Sequence, residues 1–243
     1  MYKCAICVFA VGGIAASASA GPVLLHQESF EGRPGTGYSM LPSAFDDGGF
    51  DFFDQYTVPD LTNPARDDFM VGFDGTGAIM GQDIDDGGAR PPTGTVLLDP
   101  VTITGSSNLA VRASLAALDS EPDFTNYEAA DGDGIEVFAD IDGGGAVLIG
   151  AFKPNSTGDS DLYQDTDLDG VGDGTRLVAA SLADFDFLIS GTGDSLVVSI
   201  DFTSTGSFEP LVLDNVRVLA NIPAPSSLAL LGLAGLVGTR RRR

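Results

Sequence analysis

The chain has 243 residues, 12 Lys+Arg against 35 Asp+Glu, a formal charge of −23 and 43% hydrophobic residues, enough length and apolar content to bury a sizeable core. A surplus of negative charge on this scale repels nucleic-acid phosphates and attracts divalent cations, so no nucleic acid is expected among its partners. With 32 Gly and 13 Pro between clusters of β-branched and aromatic residues, the composition suits short strands joined by tight turns and argues against disorder.

Residues 1–20 place Lys3 ahead of the apolar run "CAICVFAVGGIAA" and close on Ala18-Ser19-Ala20, the order of a secretory signal peptide cut before Gly21. Cys4 and Cys7 fall inside that segment, so the mature chain would contain no cysteine. A secreted domain without disulfides draws rigidity from elsewhere, and bound metal is a candidate source. Residues 21–220 carry 7 basic against 35 acidic residues, a net of −28.

Within that body, apolar residues recur at period two rather than at the helical period. Strands are expected at Leu24–Phe30, Val96–Ile103, Leu109–Leu118, Gly134–Asp140, Ala146–Phe152, Phe185–Ile189, Ser195–Phe202 and Leu211–Leu219. "DIDDGG" at 83–88 and "DGDG" at 131–134 read as turns. Strands punctuated in this way predict an all-β fold, a single antiparallel jelly-roll-like β-sandwich over 21–220.

The stretch "DTDLDGVGDG", 165–174, sets carboxylates at alternate positions before a glycine. Asp165, Asp167, Asp169 and Gly170 match the first, third, fifth and sixth positions of an EF-hand-type loop, and Asp173 the ninth, but Arg176 stands where the bidentate glutamate belongs. No flanking helix is expected either, so this is not an EF-hand. It resembles the D-x-D-x-D-G loops of extracellular β-proteins, a likeness that implies Ca2+ as a structural cofactor, completed by carbonyls and a distant carboxylate. The alternative is a solvated acidic turn.

"ESFEG" near the start and "LDNV" near the finish resemble the first and last strands of carbohydrate-binding jelly rolls, in which an N-terminal Glu and a C-terminal Asp share a structural calcium. That resemblance implies a second metal site from Glu28 or Glu31 with Asp214; the alternative is that Asp214-Asn215 makes a bulge. More widely, the order "ESFEG", "GTGYS", "FDDGGFDFF", "GFDGTGAIMGQDIDDGG", "IDGGG", "DTDLDGVGDGT", "ISGTGDSL" and "LDNVRV" is similar to a β-sandwich module of large secreted bacterial proteins, including the non-catalytic portion of some extracellular endonucleases. The resemblance spans about Gln27 to Leu219 and implies an accessory module with no settled ligand.

Catalytic chemistry has little to draw on. His26 is the only histidine, no cysteine follows position 7, and there is no tryptophan, so a Ser-His-Asp triad or a His-ligated zinc has almost nothing to draw on, and a Trp sugar platform is absent. No catalytic residue is assigned and an enzyme is not expected. Tyr38, Tyr56, Tyr127 and Tyr163 could stack on a sugar, which leaves polysaccharide binding as the alternative function and a polysaccharide-degrading enzyme as the third.

Residues 221–243 contain Pro223 and Pro225, a Leu/Gly/Ala-rich run, and Arg240, Arg241, Arg242 and Arg243. This three-part order resembles the PEP-CTERM sorting signal, with Ala224 where that family's Glu normally stands. The resemblance implies a short apolar helix, a transient membrane anchor, and an exosortase-type membrane protease as partner. The arginines would stay cytoplasmic and the acidic body outside. The whole chain thus reads as a secreted, calcium-stabilised structural or adhesive component of the cell surface or extracellular matrix.

Overall fold

The computed structural model describes residues 21–47, 51–57, 72–117, 127–155, 160–177, 181–206 and 209–221. The expected signal peptide, the expected terminal helix, Pro223, Pro225 and Arg240 to Arg243 lie outside them.

Two antiparallel sheets stack as a sandwich. In the first, the order is β12 (Ala183–Ile189), β8 (Ser107–Ala117), β14 (Leu211–Asn221), β5 (Gly77–Gln82), β4 (Phe52–Thr57) and β3 (Phe45–Asp46), while β1 (Val23–Glu28) pairs with the later half of β14. In the second, β11 (Leu162–Asp165), β10 (Val147–Pro154), β9 (Gly134–Ile141), β13 (Ser195–Thr203), β6 (Thr93–Leu98) and β2 (Tyr38–Leu41) follow one another, with β7 (Val101–Thr102) beside the start of β13. The chain crosses repeatedly between sheets, as a jelly-roll-like path requires.

Alternation drives the packing. Leu196, Val198, Ile200 and Phe202 of β13 are fully buried while their odd-numbered neighbours are half-exposed, and burying each such side chain stabilises by about 1.5–3 kcal/mol. Across the sandwich, Phe202 meets Phe53 edge-on at 6.2 Å, and Phe152 meets Phe185 and Phe187 at 4.7 and 6.3 Å. These contacts join the sheets through aromatic edges and faces.

Every expected strand appears, with adjusted ends. The Val96–Ile103 strand divides into β6 and β7 around Asp99-Pro100, because proline cannot donate to a ladder. Five further strands, β2 to β5 and β11, were not expected. All six residues of β5, "GAIMGQ", are buried, because a second apolar cluster of Phe52, Tyr56, Ala78, Met80, Ala116, Leu182 and Val212 lies on the outer side of the first sheet. A strand buried on both faces shows no alternation.

Candidate metal centre

The acidic loop leaves the end of β11, an outer strand of the second sheet held to β10 by the pairing Ala151↔Asp165. Its neck is closed by the amides of Gly174 and Gln164, which donate to Gln164 O at 2.7 Å and Thr175 O at 2.8 Å, and by Leu177 N, which donates to Leu162 O at 2.9 Å. Between these points the backbone turns through Leu168 at φ 60° and Gly170 at φ 91°.

That turn aims the carboxylates. Asp165 is buried, 3% exposed, and accepts the Asp169 amide at 3.2 Å and the Gly170 amide at 2.8 Å. Asp169 accepts the Val171 amide at 3.0 Å. Asp165, Asp167 and Asp169 each offer an oxygen within 4.8 Å of the others. Repulsion from Asp169 first, then Asp173 and Asp165, lifts the Asp167 carboxyl above its ordinary range. A tight group of hard oxygens with surplus negative charge is the chemistry a calcium ion requires.

Asp173, expected as a fourth ligand, has one carboxylate oxygen engaged by Thr166. It accepts Thr166 N at 2.9 Å and Thr166 Oγ1 at 2.7 Å, the backbone bond chiefly holding its carboxyl below the usual range. It staples the loop and is not one of the three converging groups. Arg176 pairs with Asp161 at 2.9 Å.

Glu28, Glu31 and Asp214 do not gather as three mutually close carboxylates among the described residues, but Glu31 lies near enough to Asp214 to add to the upward push that burial gives its carboxyl. Asp214 is fully buried at an irregularity of β14, and accepts Asp74 N and Asn215 N, both at 2.6 Å. Burial lifts its carboxyl to about 6. Glu31 is occupied by Thr76 N at 2.7 Å, Thr76 Oγ1 at 2.8 Å and Gly77 N at 3.0 Å, and Glu28 by Phe30 N at 2.7 Å. Glu28, Glu31 and Asp214 are not among the converging groups of the described residues. Gln27 instead ties the domain's ends, donating to both Asp74 Oδ2 and Asn215 Oδ1 at 2.8 Å. Asp214-Asn215 lies at a bulge of β14, with Asn215 at φ 47°.

Three of the four tyrosines are structural, which corrects the expectation that they stack on sugar. Tyr38, Tyr56 and Tyr127 are 1%, 8% and 2% exposed, and their hydroxyls donate to Gly32 O, Asp46 Oδ2 and Pro210 O at 3.0, 2.8 and 3.0 Å. Tyr163, on β11, keeps a half-exposed side chain.

Two further acidic groups escaped the sequence reading. Asp47, Asp51 and Asp86 converge near β3, and Glu128, Asp133 and Glu209 converge where the chain enters β9 and β14. Asp133 and Glu209 are 0% and 3% exposed. "DGDG" looked like an exposed turn because nothing local shows that Glu209, 76 positions beyond Asp133, closes over it.

No protein-family model matches the chain, and no curated protein matches it significantly. Among solved structures, the chain is similar to the xylan-binding domain CBM22-1 of Paenibacillus barcinonensis Xyn10C, at 10% identity and TM-score 0.40, covering 86% of this chain and 100% of that one. It is also similar to the K1 cleaved adhesin domain of Lys-gingipain from Porphyromonas gingivalis W83, at 13% identity and TM-score 0.40, covering 82% and 98%. A third is an apo-form cyclase from Fischerella sp., at 12% identity and TM-score 0.44, covering 84% and 90%.

Proposed function

We propose that this chain is a secreted, non-enzymatic module that binds polysaccharide or adheres at the cell surface or in the extracellular matrix, with Ca2+ as a structural cofactor at Asp165, Asp167 and Asp169. Its delivery would use the signal peptide at 1–20 and the C-terminal segment, sorted by an exosortase-type protease. The observation that carries the calcium part is the convergence of those three carboxylates within 4.8 Å on a loop closed at its neck by backbone hydrogen bonds.

Polysaccharide binding draws support from the outer face of the second sheet. Register aligns Ser39, Leu97, Ser199 and Phe138 across β2, β6, β13 and β9, and each is exposed or half-exposed beside core-facing neighbours. Two serine hydroxyls alternating with a leucine and a phenylalanine ring fit the alternating polar and apolar faces of an extended sugar chain. The test is retention of the full chain on insoluble glucans, xylan and chitin, with Phe138→Ala as the variant. Retention in the parent and its loss in the variant support the reading; equal retention of both removes this face from it.

A further inference from the structure

We infer that the cleft between β10 and β12, at the open edge of the sandwich, is a binding site for one uncharged, mainly aliphatic molecule such as a medium-chain alcohol. It shares no residue with the row proposed above for sugar or with the three carboxylates proposed for calcium, and it stands apart from both readings.

The chain makes this cleft by ending a strand early. β11 covers only residues 151–154 of β10 before the chain turns away at Asp165. Among the described residues, 147–150 of β10 therefore have no strand beside them on that side. The gap, about 390 Å³, is walled by Ile141 of β9, Val147 and Ile149 of β10, Leu188 and Ile189 of β12, and Leu168 of the acidic loop. Ligand pockets run from about 300 to 1,000 Å³, so this one takes a single small molecule.

Wall chemistry selects the ligand. In a chain with 35 Asp+Glu, no ionisable side chain lines the cleft among the described residues. The amides of Gly144 and Gly145 at its rim are already donated, to Ile141 O at 3.0 Å and to Asp140 Oδ1 at 3.1 Å. The Ser190 hydroxyl is then the one polar side-chain group among the described lining residues. A carboxylate or phosphate would find no set of donors here, and the formal charge of −23 would repel it. An amine would give up its water with no carboxylate in the walls to replace it. An uncharged aliphatic body with a single hydroxyl meets neither cost.

Two further observations point to the same occupant. Leu188 and Val147 are 78% and 62% exposed, the most exposed large apolar side chains of the described residues, and both line this one cleft. Apolar surface gathered at a concavity, rather than scattered singly, marks a place where something is bound. Leu168 stands at φ 60°, a left-handed conformation that glycine and asparagine adopt more readily than a bulky leucine. The strain is kept at the position where a leucine side chain completes the apolar wall.

The test uses the full chain, with N-phenyl-1-naphthylamine as an uncharged fluorescent probe and 1-octanol, octanoate and octylamine as competitors of equal chain length. The probe should saturate at one equivalent, and 1-octanol should displace it at roughly tenfold lower concentration than either charged competitor, which must shed water to enter. Leu188→Asp and Val147→Asp set a charge at the mouth on exposed positions and should each weaken the probe by roughly tenfold or more. Leu41→Asp, on β2 and 60% exposed, should leave it unchanged. Leu168→Asn keeps the turn and the three carboxylates, so it should weaken the probe while the thermal midpoint responds to calcium as in the parent, which separates this cleft from the metal loop. Absence of saturable probe binding, equal displacement by the three competitors, or equal binding by the parent, Leu188→Asp and Val147→Asp would overturn the inference.

Discussion

The amide of Gly170 donates to Oδ2 of Asp165 at 2.8 Å, so the glycine both reverses the loop and fixes the one buried carboxylate of the Asp165, Asp167 and Asp169 cluster. Gly170 sits at φ 91° with open space where a Cβ would stand. Gly170→Ala therefore adds backbone strain without a clash, at a cost of about 1–2 kcal/mol. Urea unfolding should show that loss, and it should be larger with calcium present than with EDTA, because the strained loop also binds the ion less well.

Asp214 makes stability depend on pH. Its folded carboxyl is raised to about 6 by burial, above the ordinary carboxylate range, so the folded state holds the proton more tightly than the unfolded state. This term favours folding most below about pH 4; the advantage is lost as pH rises through about 6, and the curve is flat beyond it. Asp214→Asn should remove that slope, and because its NH2 cannot accept one of the two backbone amides that Asp214 holds, it should also cost about 1–3 kcal/mol at pH 8. Denaturant midpoints from pH 4 to 8 measure both effects; a slope that persists unchanged in the variant would show that another group causes it.

Gly150 is a packing requirement. A Cβ there would land on the Phe187 ring, which packs against Phe152 at the junction of the two sheets. Gly150→Ala should cost about 1–3 kcal/mol, read as a lower thermal midpoint at every calcium concentration. Gly87→Ala, by contrast, meets nothing within 4 Å but stands at φ 60°, and its penalty is backbone strain alone.

The buried tyrosines separate stability from binding. Tyr127→Phe leaves Pro210 O without its donor and should cost about 1–2 kcal/mol, with glycan retention unchanged once the variant is folded. Altered sugar selectivity in a folded Tyr127→Phe protein would contradict the burial of that side chain.

What could be read beforehand follows from how local each signal is. The strands β9 and β13 alternate because one face meets the core and the other meets solvent, and that pattern is written in consecutive residues. The strand β5 carries no such pattern, since the apolar cluster around Met80 and Val212 covers its second face. Asp165, Asp167 and Asp169 were legible because a single loop supplies all three. Spacing alone does not reveal that Thr166 offers Asp173 two donors. Glu128, Asp133 and Glu209 were hidden by chain separation, and the tyrosines by burial, neither of which leaves a mark on neighbouring residues.

Thermal unfolding of the parent and Asp167→Ala, with EDTA and with millimolar calcium, tests whether the 165–169 loop stabilises the fold by holding calcium. An ion bound only by the folded state at a hundred times its dissociation constant adds about 2.7 kcal/mol, which shifts the midpoint by several degrees. That shift is expected in the parent and a clearly smaller one in Asp167→Ala; an identical response in both, or none in either, would rule out calcium stabilisation through this loop.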